Sequence, residues 1–277
     1  MRTFSGRTVA LLESRQSDEL AGMVRRLGGT PVLAPAVRER PSPDDAGPLI
    51  ARIAQGQFRV AIAFTGAGVT ALFAEAERRG VREDVRRALA AMAIVCRGPK
   101  PQAALKREGL RADLSTARPH TSRELLDALA STNLEQVAVV ILHYGERNVA
   151  FSAALTARGA IVEDFCLYEW ALPEDVAPLH DVVRRVVAGE IDALLVTSQI
   201  QFRFLLEIAA RAGLAEALVD ALNERVIVGA VGPVCAAALR AGGVVPDVLP
   251  ASPNSASLVG AVADYFDLTA REMDEEH

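Results

Sequence analysis

The chain has 277 residues, 51% of them hydrophobic, with 30 basic against 35 acidic side chains. The net charge of -5 excludes a general nucleic-acid binder, which needs a basic face to neutralise phosphate, so no nucleic-acid partner is expected for this chain alone. Met1 to Gly6 carries no apolar run of signal length and no stretch is long and charge-free enough to span a bilayer, which predicts a cytoplasmic protein without membrane contact.

Short β-branched or apolar runs alternate with helical stretches along the chain. A strand is expected over Thr8 to Leu12, a helix over Asp18 to Leu27, a strand over Val32 to Pro35, a strand over Val60 to Phe64, a helix over Val69 to Arg79 and a strand over Ala93 to Cys96. Such alternation predicts an α/β fold with parallel sheets covered by helices. Cys96, Cys166 and Cys235 are odd in number and far apart, so neither a disulfide framework nor a CxxC metal site is indicated. They read as buried apolar residues in a reducing compartment, and no metal or cofactor is expected.

The second half repeats the first at a nearly constant offset, a tandem duplication. The strand that ends in Glu13-Ser14-Arg15 matches the one that ends in Gly145-Glu146-Arg147, 132 residues later. Thr65 and Thr197 each close an apolar strand at the same offset, as do the linker prolines Pro41 and Pro173. Gly98-Pro99 and Gly232-Pro233 follow at a shift of 134.

Each half reads as a βαβ piece, a charged and proline-rich linker (35–41, followed by Ser42-Pro43, and 165–173), and a longer α/β piece. A duplication by itself permits two sequential domains; the linkers, together with the family resemblance given below, suit extended strands crossing between two lobes, one of residues 1–36 with 172–266, the other of residues 40–166, joined by a two-strand hinge. The acidic tail 267–277 is expected to be disordered.

Four strand-to-helix turns lie at equivalent places: Glu13-Ser-Arg15, Thr65-Gly-Ala-Gly68, Gly145-Glu-Arg147 and Thr197-Ser-Gln199. In an open parallel sheet such turns share the carboxyl edge, where ligands bind, and helix amino termini there offer free N–H groups to carboxylates or phosphates. The plain alternative is that they only cap helices. Arg15, Arg97, Lys100 and Arg147 beside the turns favour an anionic ligand.

Gly66-Ala-Gly68-Val-Thr-Ala71 fits a dinucleotide fingerprint, but the next strand ends in Arg97 where an acidic ribose partner belongs. His143 ends a strand beside Tyr144 and reads as a surface or core residue. Tyr168 stands in the second linker near Trp170, either as a packing aromatic or as a proton donor.

In the order and spacing of these residues the chain resembles the uroporphyrinogen-III synthase family from about Gly6 to Phe266. The resemblance rests on Arg15, the turns at Thr65 and Thr197, Gly98-Pro99, Gly232-Pro233, Gly145, Tyr168, Gly189-Glu-Ile-Asp192 and Pro246-Asp-Val-Leu-Pro250. It implies two flavodoxin-like lobes, a cofactor-free cleft, a monomer, and conversion of the linear tetrapyrrole hydroxymethylbilane into uroporphyrinogen III with inversion of ring D and loss of water. Tyr168 would assist departure of the hydroxyl. Arg15, Thr65, Gly66, Arg97, Gly98, Lys100, Gly145, Arg147, Thr197, Ser198, Gly232 and Pro233 would bind the substrate.

The family's serine after the first strand-end threonine is Gly66 here, and its usual hydroxyl residues after the glycine turns are Lys100-Pro101 and Val234-Cys235. Those departures motivate an alternative, a non-catalytic, synthase-like module that senses a ligand and that can precede a DNA-binding domain. A bilobed anion receptor of the periplasmic kind is a third reading.

Overall fold

The structure is a computed structural model and describes residues 3–42 and 45–275, so Pro43 just after the first linker and His277 of the tail lie outside the described residues. The chain opens with β1 (Thr8–Leu11), α1 (Ser17–Arg26) and β2 (Thr30–Leu33), followed by the linker strand β3 (Arg38–Pro41). Next come α2 (Gly47–Ala54), β4 (Val60–Ala63), α3 (Gly66–Arg78), α4 (Arg82–Ala90), β5 (Ala93–Cys96), α5 (Pro99–Arg107), β6 (Leu114–Ser115) and α6 (Ser122–Ala128). The duplicate begins with β7 (Ala138–Leu142), α7 (Val149–Thr156) and β8 (Ile161–Phe165), then the second linker strand β9 (Tyr168–Ala171). The chain finishes with α8 (Ala177–Val187), β10 (Ala193–Val196), α9 (Gln199–Arg211), α10 (Ala215–Glu224), β11 (Ile227–Ala230), α11 (Pro233–Ala241) and α12 (Ser255–Glu275).

Two compact units result, Met1–Arg38 with Ala171–His277, and Glu39–Trp170. The first holds a four-stranded parallel sheet ordered β11-β10-β1-β2, the second a five-stranded parallel sheet ordered β6-β5-β4-β7-β8. Under the sequence repeat, β7 and β8 correspond to β1 and β2, and β4 and β5 to β10 and β11. The two sheets therefore have one design, and each takes its strands from both halves of the chain. The linker strands β3 and β9 pair as a two-stranded sheet of their own.

Helices cover both faces of each sheet, so the central strands are buried on both sides and read as unbroken apolar runs, Val60–Ala63 and Ala193–Val196. In β1, Ala10 faces one core and Val9 with Leu11 the other, following the period of two. Helix α8 buries Leu179, Val182, Val183 and Val186, an i, i+3, i+4, i+7 stripe. Burying each such side chain is worth about 1.5–3 kcal/mol. No helix among the described residues is long and apolar enough to cross a membrane.

The tail departs from expectation: α12 continues the chain as helix through Glu275. Buried Leu258, Val259, Val262 and Ala263 anchor its first half. Phe266, the last residue before that tail, packs 6.2 Å from the Phe4 ring with the Arg7 guanidinium 5.5 Å above it.

Candidate functional site

In the second unit, β4 delivers Thr65 and Gly66, β5 delivers Arg97 and Gly98, and β7 is followed by Gly145 and Arg147, all at the carboxyl edge of one sheet. The Thr65 hydroxyl accepts the Gly68 N–H at 2.9 Å and so acts as the N-cap of α3. That cap starts the helix at Gly66, ahead of the expected Val69. At Gly66 a Cβ would lie 2.8 Å from the Lys100 carbonyl oxygen, so the contact between α3 and α5 requires glycine where the family pattern has serine.

Arg97 is half-buried, with its guanidinium 4.9 Å above the Phe64 ring and no carboxylate paired to it among the described residues. Burial disfavours its charged form and lowers its pKa, while the ring face stabilises the cation. Gly98 is buried beneath the His120 ring, and Lys100 is exposed in the first turn of α5. A half-buried guanidinium and an exposed ammonium at one sheet edge suit an anion.

The turn after β7 grips the linker strand β9. Gly145 donates its N–H to the Tyr168 carbonyl and accepts the Trp170 N–H, each at 2.8 Å. Its φ of +87° and the indole of Trp170 lying against it both call for glycine. Arg147 pairs with Glu169 at 3.1 Å, and Arg40 reaches the other oxygen of the same carboxylate at 3.1 Å. Gly145 and Arg147 are thus engaged in holding the linker. Tyr168 stands 39% exposed, its ring 5.8 Å from that of Tyr144, and its hydroxyl has no partner among the described residues. The Tyr144 hydroxyl donates to Glu39.

Behind this turn lies a polar cluster built on a buried histidine. His143 is 1% exposed and its Nε2 lies 2.7 Å from Asp164 Oδ1, which also accepts the Ser152 hydroxyl at 2.9 Å. Desolvation raises the Asp164 pKa, but the hydrogen bonds from His143 and Ser152 outweigh it and hold the carboxyl below its ordinary value. The His143 ring also stacks 4.9 Å from Phe64, so the cluster braces the ring beneath Arg97.

In the first unit the equivalent edge carries Arg15, Thr197, Ser198, Gly232 and Pro233 at the ends of β1, β10 and β11. Arg15 and Pro233 are exposed, and Gly232 is buried. Here the turn is satisfied internally. Gln201, 4% exposed, accepts the N–H groups of Thr197 at 2.8 Å and Ser198 at 3.2 Å. The Thr197 hydroxyl donates to Glu13, and the Ser14 hydroxyl donates to the Val37 carbonyl at 2.6 Å.

Glu13, Gln201, His143 and Asp164 are the polar residues that reading the sequence by itself passes over as site residues. Two signals were present: Ser198-x-x-Gln201 is a capping-box spacing, and Glu13 stands where the duplicate has Gly145. Among the described residues no group of three or more His, Cys, Asp or Glu side chains could hold a metal ion. The three cysteines are buried and free, with burial pushing the Cys96 thiol up to about 12 and Cys235 to about 11.

Comparison with known proteins agrees with this architecture. The family model described as uroporphyrinogen-III synthase HemD matches residues 18–260. The protein named Uncharacterized protein YjjA of Bacillus subtilis is 28% identical over 268 residues, covering 95% of this chain and 97% of its own. A mutant uroporphyrinogen III synthase of Thermus thermophilus superposes with a TM-score of 0.80 at 28% identity, covering 96% of this chain and 100% of that one. The wild-type Thermus enzyme in another crystal form gives 0.66 at 29% identity, covering 97% and 100%.

Proposed function

The chain belongs to the uroporphyrinogen-III synthase family, and on that premise we propose that it cyclises hydroxymethylbilane to uroporphyrinogen III, inverting ring D and releasing water. The observation that carries the reading is Tyr168, at the start of the linker strand, 39% exposed and with a hydroxyl that no described residue bonds. In this mechanism Tyr168 gives its proton to the departing hydroxyl, which leaves as water. The electron pair of the neighbouring pyrrole nitrogen compensates the carbon left behind and its N–H proton returns to the Tyr168 phenolate, forming a neutral azafulvene.

Ring closure then passes through a spiro intermediate, and the protein's share is orientation, because the bilane closes unaided to the wrong isomer. Arg97, Lys100 and the N–H groups at the start of α3, with the N–H of Lys100 between the two prolines that open α5, hold acetate and propionate carboxylates at the edge of the second sheet.

The rival reading, a synthase-like ligand-sensing module, draws on the first unit, where Gln201 and Glu13 already satisfy the donors of the Thr197 turn. Supplying freshly generated hydroxymethylbilane and separating the isomers after oxidation decides between them. Catalytic formation of isomer III is expected. Spontaneous isomer I alone, from folded protein, would overturn the enzyme reading in favour of the sensor.

A further inference from the structure

The carboxylate of Glu13 is held as a bound carboxylate ligand would be. Its Oε1 accepts the backbone N–H groups of Ser14 and Arg15, each at 3.1 Å. Its Oε2 accepts the Thr197 hydroxyl, and the Gln201 amide at 3.2 Å. A carboxylate offers about four lone-pair sites, and these four donors fill them.

Three of the donor residues have hydrogen bonds besides those to Glu13: the Ser14 hydroxyl bonds the Val37 carbonyl, and Thr197 and Gln201 bond each other. Gln201 is buried, and its amide also takes the N–H groups of Thr197 and Ser198 and donates to the Thr197 hydroxyl oxygen at 2.8 Å. They sit between the carboxyl ends of β1 and β10, adjacent strands from which the first sheet winds in opposite directions, to β2 on one side and β11 on the other. Doubly wound sheets take ligands at that reversal. The sister sheet has no such side chain: 132 residues on, Gly145 stands at the corresponding position.

We propose that these four donors form a carboxylate-binding subsite of the first unit, that Glu13 is its tethered occupant, and that Glu13 thereby sets specificity by barring ligand carboxylates from this edge. A free carboxylate arriving there meets donors already used and a like charge beside it. The specificity role rests on the synthase reading, and under it the acetate and propionate arms of the substrate fall to the second unit. The subsite itself is independent of turnover.

The test is thermal melting of the whole chain in sodium propionate against sodium chloride of equal ionic strength. Glu13→Ala empties the subsite, and propionate at ten times its Kd is expected to raise the melting temperature of this variant saturably, by about 4 °C. Wild type and Glu13→Gln, whose side chains still fill the space, should show no such rise. Recovery of folded Glu13→Ala only when propionate is present would support the subsite equally.

Folded Glu13→Ala that ignores propionate, wild type that responds as strongly as the variant, or a variant that stays unfolded in both salts would each overturn the proposal. Melting needs no turnover, so a protein that forms no isomer III while Glu13→Ala binds propionate keeps the subsite and loses the synthase reading. The opposite pair of results does the reverse.

Discussion

The indole of Trp170 rests on Gly145 so closely that a Cβ on the glycine would fall 2.1 Å from the ring. This contact, with the two backbone hydrogen bonds beside it, fixes the strand that presents Tyr168. Gly145→Ala therefore pays twice, for a φ of +87° and for displacing the indole. A loss of about 2–4 kcal/mol in denaturant titration is expected. Adding Trp170→Ala to that variant should remove the steric part and leave a backbone cost of about 1 kcal/mol, a coupling that a double-mutant cycle reads directly.

Tyr168→Phe removes a hydroxyl that no described residue bonds, so stability should stay within about 0.5 kcal/mol of wild type. If that hydroxyl protonates the leaving group, the rate of isomer III formation falls by about a hundredfold. Unchanged turnover by the variant would return Tyr168 to a packing role.

Arg97→Met tests whether the half-buried guanidinium is kept for a ligand. It deletes a cation that has no carboxylate partner among the described residues, while a flexible apolar chain still covers Phe64. Stability should hold or rise, because burial already disfavours the charge. Affinity for a porphyrin bearing carboxylate arms, followed by fluorescence, should drop about tenfold or more, the worth of a charge-assisted hydrogen bond.

Asp164→Asn probes the polar cluster behind the turn. The native carboxyl is held below its ordinary value of 3.8, so its contribution is fully present above that pH and is lost as pH falls through the lowered folded pKa. The variant should be about 1–2 kcal/mol less stable than wild type at pH 7. Below about pH 4 the difference should shrink as the native carboxyl protonates. A gap that stays constant down to about pH 2 would rule out this ionic role.

Gly66→Ser restores the family's residue at the first turn, yet the Lys100 carbonyl lies where its Cβ would go. The change is expected to destabilise by about 1–3 kcal/mol and to lower turnover. A more active and equally stable variant would mean that α3 and α5 can separate at no cost.

Alternating apolar runs and helical spacings, repeated 132 residues apart, were enough for the α/β class, the parallel sheets and the tandem duplication, while the crossing of the chain between lobes needed the linkers and the family resemblance. They also placed Arg97, Thr65 and Tyr168 at the edges of elements, because strand and helix periods and the turns between them are set by neighbours in the chain. The helix over 267–275 escaped that reading, since an acidic composition does not show that these residues continue α12 from its buried first half.

The partners of the polar side chains were decided only by the tertiary structure. Glu13 meets Thr197 across 184 residues, and Asp164 meets His143 only because β8 pairs with β7. Such pairings follow from the order of strands in a sheet, which a local period does not encode. For that reason two turns that look alike in sequence became one edge closed by its own carboxylate and another where Arg147 pairs with Glu169 and Arg97 pairs with no carboxylate among the described residues.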